Sequence, residues 1–267
     1  MEKYRVIDSH CHIYPDKIAE KATAYTGDFY SMPLLYDGKT STLLKCGIEA
    51  GIDHFIVQSV AITPRQTSSI NHFTAEAVKC SDGRFTGLGT LHPDSSNIEE
   101  EVEKIISLGL KGVKLHPDMQ RVAIDDSRMQ KIYEACQDRL PILMHTGDSR
   151  FDYSNPNRML PVLRKYPRLT VIGAHFGGWS VWDEATRTLS DYENFHVDTS
   201  SSLYAMTPER ARELILAYGV ERVMFGTDFP MWDYAVEIER FMKIDLTENE
   251  REDILYNNAA KMFSVNG

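Results

Sequence analysis

Eight short apolar runs recur along the chain, at 4–9, 54–60, 85–91, 112–116, 141–145, 169–175, 195–199 and 222–227. Between them lie stretches whose apolar residues fall three and four positions apart, at 41–50, 97–108, 127–138, 156–166, 207–218 and 232–243. A buried strand followed by an amphipathic helix is the unit that builds a parallel sheet with covering helices. From the third run onward the strand ends follow one another at steps of roughly 25 to 30 residues, one such unit each. Eight units in 267 residues predict an α/β fold, a single (β/α)8 TIM-barrel domain over 1–267.

The helix starts carry their own signals. Thr207, Pro208 and Glu209 place a cap, a first-turn proline and an acid in order, and Asp126 with Ser127 offers another cap. A last segment, 247–263, spaces Ile254, Leu255, Ala259, Met262 and Phe263 as a helix would, and is expected to pack on the outside of the barrel. The long departure is about 13–40, after the first strand, with Pro15, Gly27, Pro33 and Gly38. A loop of that length after a strand emerges on the catalytic face of such a barrel, so it reads as a lid or pocket wall rather than a plain surface insertion.

Composition narrows the partners. Lys and Arg total 29 against 39 Asp and Glu, and a formal charge of −10 repels a phosphate backbone, which argues against nucleic acid. The opening MEKYRVIDSHCH lacks the apolar stretch of a secretory signal, and no later run reaches membrane-spanning length. Four scattered cysteines, Cys11, Cys46, Cys80 and Cys136, fit a reducing compartment. The expectation is a soluble, cytoplasmic protein that acts on a small molecule, with neither nucleic acid nor membrane as partner.

The chemistry concentrates at the strand ends. His10 and His12 sit two apart on the first strand, so both imidazoles face the barrel mouth and can share one cation. An H-x-H pair alone is a weak signal. However, three more strands end at His116, His145 and His175, and the eighth ends at Asp228. Burying that many ionisable groups is costly unless a cation turns them into ligands and partners. Imidazole with one carboxylate suits a single divalent metal, zinc best, with iron, manganese or cobalt as alternatives. Cys11, between the two histidines, points to the opposite face and reads as a buried apolar residue. Arg65, after the second strand, and Arg150, after the fifth, are candidates to pair a substrate carboxylate.

The motifs VIDSHCH, GVKLHP, LMHTG, GAHFGG and FGTDFP, in that order over nearly the whole chain, resemble those of the amidohydrolase superfamily. Within it the chain is most similar to the amidohydrolase-related branch that includes aminocarboxymuconate-semialdehyde decarboxylase. The resemblance implies His10, His12, His145 and Asp228 as metal ligands, Asp228 also as proton acceptor, and His175 as the acid/base histidine. It further implies a homodimer, an assembly frequent in that branch. Some superfamily members carboxylate a lysine of the fourth strand to bridge two metals; here His116 holds the strand end and Lys114 lies a layer deeper, which favours one metal, with His116 as a substrate contact.

The leading expectation is a metal-dependent hydrolase, a metal-activated water attacking an amide, ester or lactone. The alternative is a non-oxidative decarboxylase or hydratase of a small unsaturated or aromatic carboxylic acid. Metal-dependent deoxyribonucleases also open on an H-x-H strand, but they usually present a glutamate where this chain reads GVKLHP. A non-catalytic metal-binding protein is the remaining reading.

Overall fold

A computed structural model describes residues 4–265. Parallel strands run in chain order around a ring: β1 (Ile7–His12), β2 (His54–Gln58), β3 (Phe85–Gly87), β4 (Gly89–Thr90), β5 (Val113–Leu115), β6 (Ile142–Met144), β7 (Val171–Gly173), β8 (Phe195–Asp198) and β9 (Val223–Met224). The third expected strand is divided at Leu88: β3 pairs with β2 and β4 pairs with β5, so one extended segment serves both neighbours. The ring closes between its first and last members. Ser9 N donates to Phe225 O at 2.9 Å, His12 N to Phe229 O at 2.7 Å, and Asp228 N to His10 O at 3.0 Å. Asp8 reinforces the seam by accepting from Thr227 N at 2.9 Å and Thr227 Oγ1 at 2.5 Å. The result is the eight-stranded α/β barrel that the periodicity predicts.

Alternation along the strands sorts the core into two. Phe55, Val57, Val113 and Leu115 point outward into the layer beneath the helices, and Ile7, Ile56, Leu88, Leu143, Ile172 and Met224 fill the barrel interior. The helices are α1 (Ala19–Tyr30), α2 (Thr40–Glu49), α3 (Thr67–Lys79), α4 (Ile98–Ser107), α5 (Pro117–Gln120), α6 (Gln130–Cys136), α7 (Met159–Lys165), α8 (Trp182–Leu189), α9 (Pro208–Tyr218), α10 (Tyr234–Met242), α11 (Glu248–Glu252) and α12 (Asn258–Phe263). None among the described residues is long and apolar enough to cross a membrane.

Three differences from the expected elements have physical reasons. Segment 13–40 is not loop throughout, because it contains the twelve-residue α1; its threonines, glycine and aromatics blur the apolar stripe, and tertiary contacts outweigh propensity. Helix α3 has no such stripe because it buries Thr67, Asn71 and Thr74, the Asn71 amide bonding both N and O of Thr90 at 2.7 and 3.1 Å. The C-terminal segment is divided into α11, a wider π-type turn (Asp253–Asn257) and α12. Its Ala259 and Phe263 join the barrel interior instead of the outer wall, closing the bottom of the ring. Helical spacing shows that one face is buried, not which surface buries it.

Candidate active site

The inward positions at the open end of the ring bring residues from distant stretches together. His10 Nδ1 lies 2.8 Å from Asp198 Oδ2. A carboxylate there accepts the Nδ1 hydrogen, which leaves the His10 Nε2 lone pair facing inward. That Nε2 is 3.1 Å from His12 Nε2 and 3.4 Å from Asp228 Oδ1, and His12 Nε2 is 3.6 Å from the same carboxylate oxygen. Ligands bound at about 2.0–2.2 Å to one cation keep roughly 3–3.5 Å between them, so these three residues have the spacing of a metal-binding set. Lys114, fully buried, holds its Nζ 3.1 Å from His10 Nε2.

His145 falls outside that trio. Its Nδ1 is 3.1 Å from His175 Nε2, and its Nε2 is buried without a hydrogen-bond partner, 3.6 Å from Asp118 Oδ2. An orphaned lone pair on a buried imidazole is the state a metal ligand shows before it coordinates. His116, Asp118 and His145 form a second close group of potential ligands, but Asp118 already accepts from Ser154 N at 3.2 Å and Ser154 Oγ at 2.5 Å. His175 is fixed by Ser200, whose carbonyl lies 2.9 Å from its Nδ1. His175 and Asp228 both adopt left-handed backbone angles, φ 61° and 64°, a conformation that is strained for non-glycine residues and clusters at functional sites.

Burial sets the charges. It pushes His12, His116 and His145 well below the usual histidine range, with Lys114 adding to the effect at His12 and His116, and His116 adding to it at His145. Burial likewise takes His175 down to about 4, against the opposing pull of Asp228. These rings are therefore neutral near pH 7, the form that ligates metal. Lys114 is brought to about 8, burial outweighing Asp198 and Asp228. For Asp198 burial acts upward, but His10 and His175 with their hydrogen bonds hold its carboxyl below the usual range.

Above this floor opens a cavity of about 720 Å³. His12, Lys114, His116, His145 and Asp228 meet it from below, and Ile18, Tyr25, Tyr30, Ile62, Phe73 and Met231 are among its mostly apolar walls. Segment 13–40 thus forms much of one wall. Arg65 does not line it: Arg65 is exposed on a 3-10 turn (Pro64–Gln66), and its neighbour Gln66 faces the space. Arg150 is already committed, to Asp148 at 2.7 and 2.9 Å and to Phe29 O at 2.8 Å. The residues that the strand-end pattern does not single out are Asp198, Ser200, Asp118 and Tyr30. Asp198 obeys the same rule, a carboxylate ending a strand, while the others depend on loop and helix positions.

The family model described as amidohydrolase matches residues 7–265. Among curated proteins, the chain is 29% identical over 121 residues to gamma-resorcylate decarboxylase of Polaromonas sp. (strain JS666 / ATCC BAA-500), covering 38% of this chain and 36% of that protein. It is 37% identical over 83 residues to the enzyme of the same name from Rhodococcus jostii (strain RHA1), covering 30% of this chain and 24% of that protein. The matches thus span about a third or less of these relatives' length. In fold, 5-carboxyvanillate decarboxylase LigW from Sphingomonas paucimobilis has a TM-score of 0.80 at 17% identity, covering 99% of this chain and all of that one. A dihydroxybenzoic acid decarboxylase from Polaromonas sp. JS666, solved with manganese and the inhibitor 2-nitroresorcinol, has a TM-score of 0.75 at 19% identity, covering 99% of this chain and 98% of that one. These findings correct the expectation of hydrolysis: the curated relatives, and the two solved enzymes named above, are decarboxylases, which favours the decarboxylase alternative.

Proposed function

Because the chain belongs to the amidohydrolase family, whose barrel and strand-end motifs it carries, we propose that it is a metal-dependent, non-oxidative decarboxylase of a small aromatic carboxylic acid. The observation that carries this reading is the cavity itself: apolar and aromatic walls that accept a ring, ending on a floor of ligand atoms and one buried lysine that accept a carboxylate. His10, His12 and Asp228, which stand together, would hold the metal, and His145, which lines the same cavity beside His175, is the proposed fourth ligand; manganese, as in the dihydroxybenzoic acid decarboxylase, and zinc both suit this donor set. When bound, such an ion supplies concentrated positive charge for the oxygens of the acid.

The chain's own residues do the rest. Asp198 keeps His10 in the tautomer whose Nε2 faces the site. The Lys114 ammonium adds positive charge at the floor, where the carboxylate arrives. Loss of carbon dioxide leaves an electron pair on carbon, which must take a proton. Asp228, which lines the cavity, and His175, 3.1 Å behind His145, are the acid/base groups within reach of the floor. The mostly apolar walls around the floor favour delivery of that proton by a held group.

The test is to load the protein with manganese or zinc and offer a panel of hydroxybenzoic acids labelled at the carboxyl carbon. Labelled carbon dioxide should appear, and in heavy water the product should carry deuterium at the carbon that lost it. No release from any acid by fully metal-loaded protein would sink the reading.

A further inference from the structure

The cavity above the floor is larger than one ring needs. Its volume of about 720 Å³ falls in the range of sites for drug-sized ligands, about 300–1,000 Å³. Helix α1 and the turn before it run along one wall, where Lys17, Ile18, Lys21, Tyr25 and Tyr30 all line the space. Tyr30 ends beside the floor, its hydroxyl 2.7 Å from His116 Nε2. From Lys21 to Tyr30 the helix axis advances about 14 Å, at about 1.5 Å per residue, and Lys17 lies a further turn out. Ile18 and Tyr25, on this wall, are 50% and 48% exposed, an apolar strip that a single ring seated at the floor leaves uncovered. Charge is sorted around the same helix. The chain carries a formal charge of −10, yet the cavity is lined by three lysines, Lys17, Lys21 and Lys114, and by one carboxylate, Asp228. The acids of α1, Glu20 and Asp28, line a separate groove on its other side. Lys17 and Lys21 are exposed, and among the described residues neither has a hydrogen-bond or ion-pair partner.

We propose that Lys17 and Lys21 form a second anion-binding site at the mouth of the cavity, and that the substrate is an extended aromatic acid with a carboxylate at the floor, an apolar body along α1 and a second anionic group at the far end. The inference deepens the decarboxylase reading and rests on it for the chemistry at the floor. Two carboxylates on one ring stand too close together to reach both places, so a second ring or a chain separates them. Ile18 and Tyr25 then gain a partner for their apolar surface. An ammonium without an internal partner gives up no ion pair when it takes the anion of a ligand. The apolar walls focus the field of the two charges into the cleft, which also draws anionic acids inward. A single-ring acid uses the floor alone, as a truncated form of this substrate.

The experiment compares the unaltered protein with the Lys17→Gln, Lys21→Gln double variant, both manganese-loaded, by calorimetric binding of biphenyl-4-carboxylate, biphenyl-4,4′-dicarboxylate and benzene-1,3-dicarboxylate. The biphenyl diacid should bind the unaltered protein about three- to tenfold more tightly than the biphenyl monoacid, the scale of two partly exposed ion pairs. That advantage should vanish in the variant, and shrink for the unaltered protein in about 0.5 M salt. Binding of the monoacid and of benzene-1,3-dicarboxylate should differ less than twofold between the two proteins, which also shows that the cavity is intact. A biphenyl diacid that binds no better than the monoacid, an advantage that survives the variant, equal weakening of all three acids, or no binding of the biphenyl diacid at all would overturn the proposal. Lysine-dependent binding of the diacid, with no carbon dioxide released from any carboxyl-labelled aromatic acid, would leave this site standing and remove the decarboxylase reading instead.

Discussion

Asp198 shows how much a single inward carboxylate can decide. It accepts from His10 Nδ1 at 2.8 Å and from His175 N and Ser200 N, each at 3.0 Å, so one side chain fixes a candidate ligand ring and the turn carrying His175. Replacing Asp198 by Asn should therefore lower metal affinity about 10- to 100-fold, the usual cost of losing such a partner. Metal titration monitored by fluorescence or calorimetry checks it, and an unchanged affinity would mean that His10 needs no help. His12→Ala should lose bound metal and activity together, whereas His175→Ala should keep its metal and lose turnover; metal content by elemental analysis separates the two. His12, His116, His145, His175 and Asp228 could be picked out as candidates because each stands at the end of an apolar run, with His10 one inward-facing position earlier on the first strand. Tyr30 and Ser200 could not, since their partners lie 86 and 190 residues away and only the closed ring brings them together. The Arg65 expectation failed for a related reason: nearness to a strand end in sequence does not say on which side of a turn a long side chain leaves.

Among the elements, α1 links the surface to the chemistry. It lies in a segment whose prolines and glycines read as a loop, and the strand–helix rhythm passes over it. What locates it is a set of tertiary contacts at its C-terminal end: the bond from Arg150 to Phe29 O and the stacking of Phe29 on Phe151, with centroids 5.4 Å apart. Arg150→Ala removes a charged hydrogen bond and the cation beside four rings. Each such interaction contributes roughly 1–2 kcal/mol at a partly exposed site. Amide exchange at residues 27–31 should accelerate about tenfold while the barrel strands keep their protection; uniform acceleration would point to global destabilisation instead. The turn after β6 makes a second demand. Gly147 has φ 79°, and a Cβ there would lie 2.4 Å from the backbone of Gly178 and Trp179, which it bridges as a strand would. Gly147→Ala should cost at least about 1–3 kcal/mol in urea unfolding. The glycines of LMHTG and GAHFGG thus mark two loops that press together, a contact invisible from either motif alone.

At the scale of the whole molecule, the barrel has two ends with opposite uses for buried histidine. At the open end the rings converge on candidate ligands, and at the closed end, near α12, they support the fold. His54 donates or accepts across β2 and β3 with Thr86 Oγ1 at 2.9 Å, and His196 stands on β8. Burial takes both from 6.5 to about 4, with Arg84 and Arg222 respectively adding to the effect. The sign follows from proton counts. Between about pH 6.5 and 4 the unfolded chain has protonated these two histidines while the folded chain has not, so the unfolded state binds more protons there. Their contribution is whole above 6.5 and is lost as the pH falls to 4, at up to about 1.4 kcal/mol per pH unit for each residue. Metal release from the open end would act in the same range, because ligand histidines must be neutral to coordinate. The two ends can be separated experimentally by unfolding the protein in urea across pH 4–7 in excess chelator, with and without the His54→Gln, His196→Gln pair. The double variant should show a shallower acid loss by up to about two protons' worth of slope. Identical slopes would mean that the closed end tolerates charge, and that acid sensitivity belongs to the site alone.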